Sequence, residues 1–98
     1  MSTNLQVAQT IAQQIGHKAF VMMGTKHRLG DERSLSFDIH GCREYSKIQV
    51  TLEQNDTYKG EFFKFRNWEK IRHKTVDMVY ADSLNQVIEH NTGLYLSL

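Results

Sequence analysis

The period of the apolar positions changes along this chain. It starts at helical spacing: Leu5, Ala8, Ile11, Ala12 and Ile15 recur three and four residues apart, with Gln6, Gln9, Gln13 and Gln14 between them. That spacing predicts an amphipathic helix, capped by Ser2, Thr3 or Asn4 and ended by Gly16. "KAFVMMG" follows as a short continuous apolar run, which predicts a buried strand. "TKHRLGDERS" is polar around Leu29, Gly30 and Asp31 and predicts a turn or flexible loop.

Strict alternation then sets in. In "LSFDIH", Leu35, Phe37 and Ile39 point one way and Ser36, Asp38 and His40 the other, as in a half-buried strand. Gly41 interrupts, and "KIQVTLE" alternates again through Ile48, Val50 and Leu52. "QND" is turn chemistry, and "TYKGEFFKFR" resumes in β-forming residues, so these two runs predict a hairpin. Gly60 inside the later strand predicts a bulge or a close backbone approach. "KIRHKTV" predicts a fifth short strand. The period then returns to helical, with Tyr80, Leu84, Val87, Ile88 and Asn91 on one face. Asp77 or Asp82 supplies first-turn acid, and Gly93 sits where a left-handed C-cap is expected. "LYLSL" closes the chain and is expected to pack onto the body. The order helix, four to five consecutive strands, helix predicts a single α+β domain spanning 1–98. It would be an antiparallel meander with both helices on one face.

Composition narrows the class. A chain of 98 residues supports one small core, and 40% hydrophobic with 23% charged residues is ordinary for a globular domain. The one cysteine, Cys42, forbids an internal disulfide. No apolar run approaches the roughly 18 residues that cross a bilayer, and the first residues lack the basic start and apolar segment of a secretory signal. The expected compartment is the cytoplasm, with no membrane partner.

Two segments, "KIQVTLEQNDTYKGEFFKFR" and "VYADSLNQVIEHNTGLYLSL", resemble a group of short proteins encoded by tailed phages and prophages. The likeness runs from about residue 10 to residue 98. It is strongest at Thr51, Leu52, Asp56, Thr57, Tyr58, Glu61 and Phe62, and again at Tyr80, Ala81, Asp82, Leu84, Thr92, Gly93, Leu94, Tyr95, Ser97 and Leu98. Gly60 and the polar, His-containing stretch 25–33 depart from the pattern. The resemblance implies phage origin and the host-cell cytoplasm. It implies no catalytic residue.

The residues themselves offer little for catalysis. His17, His27, His40, His73 and His90 form no metal-binding spacing. His40 and Cys42, two apart, would share one face of a strand, but zinc would need two more ligands and a nucleophilic thiol an activating base. Asp31 and Glu32 beside Arg28 and Arg33 read as a solvated, locally paired loop, and no glycine-rich phosphate loop is present. No enzyme and no cofactor are expected.

Charge is more informative. Residues 1–58 hold six basic and six acidic residues, 59–74 six basic and two acidic, and 75–98 no Lys or Arg and three acids. Within "KGEFFKFRNWEKIRHK", Phe63 and Phe65 project to one face and Phe62, Lys64 and Arg66 to the other, with Lys70, Arg72 and Lys74 alternating next door. One register gives a basic outer face of Lys59, Lys64, Arg66, Lys70, Arg72 and Lys74 carrying Phe62 and Trp68, suited to phosphates and bases. The opposite register, set by Tyr58 and Phe62 with a bulge at Gly60, is equally allowed. A pI of 7.9 lies below that of committed nucleic-acid binders. The competing surface is the C-terminal helix, with Asp82, Asn85, Gln86 and Glu89 outward. The leading expectation is non-catalytic binding of a host or phage protein, such as a defence or takeover target. The alternative is nucleic-acid binding through the basic and aromatic stretch. An exposed sheet edge or "LYLSL" also offers a route to a homodimer.

Overall fold

The computed structural model describes residues 6–40, 42 and 44–94. Two short helices, α1 (Gln6–Ile15) and α2 (His17–Met23), open the chain. Five strands follow: β1 (Lys26–Gly30), β2 (Ser34–Asp38), β3 (Lys47–Leu52), β4 (Tyr58–Arg66) and β5 (Glu69–Val79). A 3-10 turn (Ala81–Ser83) leads into α3 (Leu84–Thr92). The strands pair in sequence order as one antiparallel meander, β1-β2-β3-β4-β5. This is the α+β architecture that the periodicity predicts.

The register explains the core. Leu35 lies opposite Val50, which lies opposite Gly60; Phe37 lies opposite Ile48, which lies opposite Phe62. Opposed residues share a face, so these side chains line one side of the sheet. Ala8, Ile11 and Ile15 of α1, Ala19, Phe20 and Met23 of α2, and Leu84 and Ile88 of α3 bury into the same cluster. All three helices therefore cover one face. Phe20 meets Phe37 edge-on at 5.3 Å between ring centres, and Tyr45 leans on Phe62 at 5.4 Å. Burial also pushes the Tyr58 phenol above its ordinary pKa, because a desolvated phenolate is disfavoured.

Two expectations are corrected. "KAFVMMG" is not a strand: it forms α2, burying Ala19, Phe20 and Met23 on one side while Val21 stays exposed. Those buried positions follow helical spacing, which five consecutive apolar residues, 19–23, concealed. Gly24 ends this helix at φ 61°, with its N–H donating to the Val21 carbonyl at 3.1 Å. "TKHRLGDERS" is not a loop throughout, since Lys26–Gly30 forms edge strand β1. The strand count stays at five because one strand replaces the other. The capping residues Ser2, Thr3 and Asn4, together with Leu5, Gly41 and most of "LYLSL", lie outside the described residues.

Both edge strands are irregular. β1 carries one extra residue between Lys26 and Leu29, where His27 has φ 55°. β5 carries two: Ile71, between the partners of Lys64 and Phe65, and a second in the Asp77–Met78 region opposite Tyr58 and Gly60, where Met78 has φ 57°. The irregularity expected at Gly60 is thus present, but the extra residue belongs to β5. Bulges twist an edge and interrupt its unpaired ladder, which disfavours pairing with another sheet.

Candidate functional site

The β4–β5 hairpin outgrows the sheet. The last β3 residue paired to β4 is Lys47, opposite Phe63, whereas β4 and β5 continue pairing to Arg66 and Glu69. Residues 64–72 therefore form a two-stranded arm that projects past β3. Asn67 and Trp68 make its two-residue turn, with φ 52° and 69°. Positive φ at both positions defines a type I′ turn, whose twist matches that of the strands. Asn tolerates this backbone; for Trp it is strained. The Trp68 side chain is 100% exposed, so no packing compensates that strain.

Register decides where the sequence-predicted residues go. Phe62 points into the core and is fully buried, so its expected place on a base-stacking surface is corrected. Its neighbour Phe63 takes the open face instead. There it stacks on His73 at 4.7 Å between ring centres, lies 6.0 Å from Phe65, and has the Lys70 Nζ 5.2 Å above its ring. The bulge at Ile71 breaks the expected alternation of Lys70, Arg72 and Lys74. Arg72 and Lys74 lie opposite Lys64 and Phe62, on the helix side, while Lys70 lies opposite Phe65, on the open side. The basic residues thus occupy both faces of the arm and its root rather than one flat surface.

Their pairing separates them further. Lys59 is held by Glu53 at 3.6 Å and Glu61 at 3.9 Å, and Arg72 is paired with Glu44. Lys64, Arg66, Lys70 and Lys74 make no ion pair with any described residue. Lys64, Arg66 and Lys70 near an exposed Trp, with Lys74 at the root and Glu69 opposite Arg66 as the arm's one acid, make a local positive region on a chain of net charge +1.

Other residues complete the surface. Phe65 and Trp68, with Asn67, form one wall of an open cleft of about 790 Å³ whose remaining lining is Asp38, Ile39, Ser46 and Lys47. Phe65 donates its N–H to the Ser46 hydroxyl at 3.4 Å, tying the arm to the cleft floor. The Asp38 carboxylate accepts a hydrogen bond from His27 Nδ1 at 2.9 Å. Phe65, Asp38, Lys47 and Asn67 were not among the sequence candidates. The available signal was Asn67 between two β-rich runs, a turn residue that places its neighbours at a hairpin tip.

The competing helix surface does not assemble as expected. The Asn85 side-chain amide donates to the Ile15 carbonyl at 3.0 Å, fastening α3 to α1 rather than facing a partner. Asp82 and Gln86 are exposed and Glu89 is half-buried. Cys42 is engaged internally: its Sγ donates to the Thr92 carbonyl at 3.3 Å and accepts the Tyr45 N–H at 3.4 Å. Among the described residues no group of three or more His, Cys, Asp or Glu side chains could hold a metal ion. His73 and Thr75 meet Glu61 on the open face, with Nε2–Oε2 3.0 Å and Oγ1–Nε2 3.3 Å. Both contacts use the same ring nitrogen, so the imidazole does not relay between hydroxyl and carboxylate as a catalytic triad requires. Among the described residues no helix is long and apolar enough to cross a membrane.

The fold and surface define a small α+β domain with a projecting, basic, Trp-tipped hairpin. Comparison with protein-family models, with curated proteins and with solved structures found no match.

Proposed function

We propose that this protein acts without catalysis, by binding, and that its arm engages nucleic acid. The observation that carries this reading is the pairing of a fully exposed Trp68, in a strained turn, with four cations that have no acidic partner among the described residues. Phosphates satisfy such cations, and aromatic faces stack on bases at about 1–3 kcal/mol each. Cations on both sides of a two-stranded arm suit an element surrounded by a flexible polyanion. The resemblance to short phage proteins supports placing this activity in the cytoplasm of an infected cell, in a phage accessory protein.

A protein partner is the second reading. Trp and Arg are frequent interface anchors, and Ile71, 54% exposed beside them, favours an apolar contact. An acidic patch on a host or phage protein would answer the same cations.

A mobility-shift experiment at low salt tests the first reading. The wild-type protein is expected to retard an oligonucleotide, and Lys64→Glu with Arg66→Glu to abolish retardation. Absence of any shift at low salt removes nucleic acid as the ligand. Stoichiometric co-purification of one acidic protein, lost in the same double variant, would then favour the protein partner.

A further inference from the structure

We infer that the cleft beside the arm is a subsite for one unstacked nucleobase, and that the protein therefore prefers single strands to duplex. This rests on the nucleic-acid reading above and adds the shape of the ligand.

The cleft and the arm differ in charge. Of the residues lining the cleft, Asp38 is the sole acid and Lys47 the sole base, so its walls are close to neutral. The Asp38 carboxylate repels a phosphate; with Oδ2 engaged by His27, Oδ1 remains to accept a hydrogen bond from the ring or exocyclic N–H of a base. Phe65 and Trp68 supply flat apolar walls. Lys70 lies opposite Phe65 in the register, next to the cleft on the open face, whereas Arg66, one residue past Phe65, alternates to the other face at the tip. The backbone of a bound strand would thus pass over Lys70 on the open face and wrap the tip toward Arg66 while one base turns inward.

Size and rigidity agree. About 790 Å³ falls within the range of small-ligand clefts, about 300–1,000 Å³. The wall is braced: Phe65 sits against Phe63, which is itself stacked on His73 and capped by Lys70. A duplex keeps its bases stacked and paired, so filling this cleft from a duplex requires extruding one, at a few kcal/mol. A single strand offers its bases freely. This is why the preference follows from the cleft and would not follow from the cations alone.

Trp68 is the sole tryptophan of the chain, so its emission reports on the wall of the cleft directly. The protein is titrated at low salt with a short single-stranded oligonucleotide, the matched duplex, heparin and poly-glutamate. The single strand is expected to quench Trp68 and to bind at least about tenfold tighter than the duplex. Heparin, a polyanion without bases, is expected to leave the emission unchanged. Trp68→Ala and Phe65→Ala, followed by anisotropy of a labelled strand, each lower single-strand affinity about tenfold or more and leave heparin affinity intact. Circular dichroism checks that both variants fold. Equal affinity for single strand and duplex, or loss of neither on Trp68→Ala, overturns the base subsite and leaves the nucleic-acid reading standing. Binding of no nucleic acid removes both. Quenching by poly-glutamate equal to that by the single strand overturns the subsite and assigns the arm to acidic proteins.

Discussion

A tryptophan at φ 69° with its entire side chain in solvent gains nothing from the fold around it. An L-residue in the left-handed region costs about 1–2 kcal/mol, and glycine escapes that cost. Asn-Gly is also the preferred type I′ pair. Trp68→Gly is therefore expected to stabilise the protein by about 1 kcal/mol, raising Tm by about 4–8 °C in a thermal melt. The same change is expected to weaken ligand binding. A rise in stability with a loss of binding separates a residue kept for recognition from one kept for folding. Phe62 is the opposite case: wholly buried against Tyr45, it supports the core. Phe62→Ala should destabilise by about 3–5 kcal/mol in urea unfolding, whereas Phe65→Ala, 41% exposed, should cost about 1 kcal/mol or less. Sequence alternation alone could not tell these phenylalanines apart. Phe62 and Phe63 are adjacent, so either register buries one ring, and only pairing with Ile48 decides which.

Among the elements, those with a long clean period were legible in the sequence. α1, β2 and β3 bury apolar positions that their spacing selects, as α3 does at Leu84 and Ile88, but Tyr80 lies before α3 and is 59% exposed, and β4 takes the register that buries Tyr58 and Phe62 and leaves Phe65 exposed. α2 was not, because a run bounded by Gly16 and Gly24 spans under two helical turns and its last five positions are all apolar. Its end depends on Gly24: a Cβ there would meet the His40 Cβ at 3.2 Å as well as strain the backbone at φ 61°. Gly24→Ala is expected to destabilise by about 1–2 kcal/mol, read by chemical denaturation. The arm was legible as a basic, aromatic stretch but not as an arm. No periodicity reports where β3 stops, and the bulge at Ile71 is a one-residue insertion with no sequence mark. Pairing also sorts its cations. Removing one without an acidic partner, as in Lys70→Ala, should lower the salt slope of single-strand binding by about 0.7, while Lys59→Ala, whose cation already faces Glu53 and Glu61, should leave it unchanged.

For the whole molecule, net charge and local charge make opposite forecasts. The chain carries +1 overall and a pI near 7.9, which by itself gives almost no attraction to a polyanion. Among the described residues Lys18, Lys26, Arg28, Arg33 and Lys47 also lack an ion pair, but four such cations lie on one hairpin: Lys64, Arg66 and Lys70 on the arm and Lys74 at its root. The helix layer covers one face of the sheet, and the open face beyond the arm is mixed in sign, with Lys59 neutralised and Glu61 held by His73. If the arm alone contacts phosphate, log Kd against log salt follows a slope set by four contacts at about 0.7 each, near 3 in magnitude. Changing Asp56 and Asp82 to Asn raises the net charge from +1 to +3 without touching the arm. Affinity and slope should then stay within about twofold of wild type, since exposed charges beyond about 10 Å are screened. Changing Lys64, Arg66, Lys70 and Lys74 to Gln lowers the net charge from +1 to −3 and should remove both affinity and slope. A third variant adds Asp31→Asn and Glu32→Gln to all six changes and carries +1, the charge of wild type, but without the arm's cations. If it binds, total charge governs the interaction and the arm is not the contact; if it does not, the placement of four side chains on one hairpin outweighs everything else the surface carries.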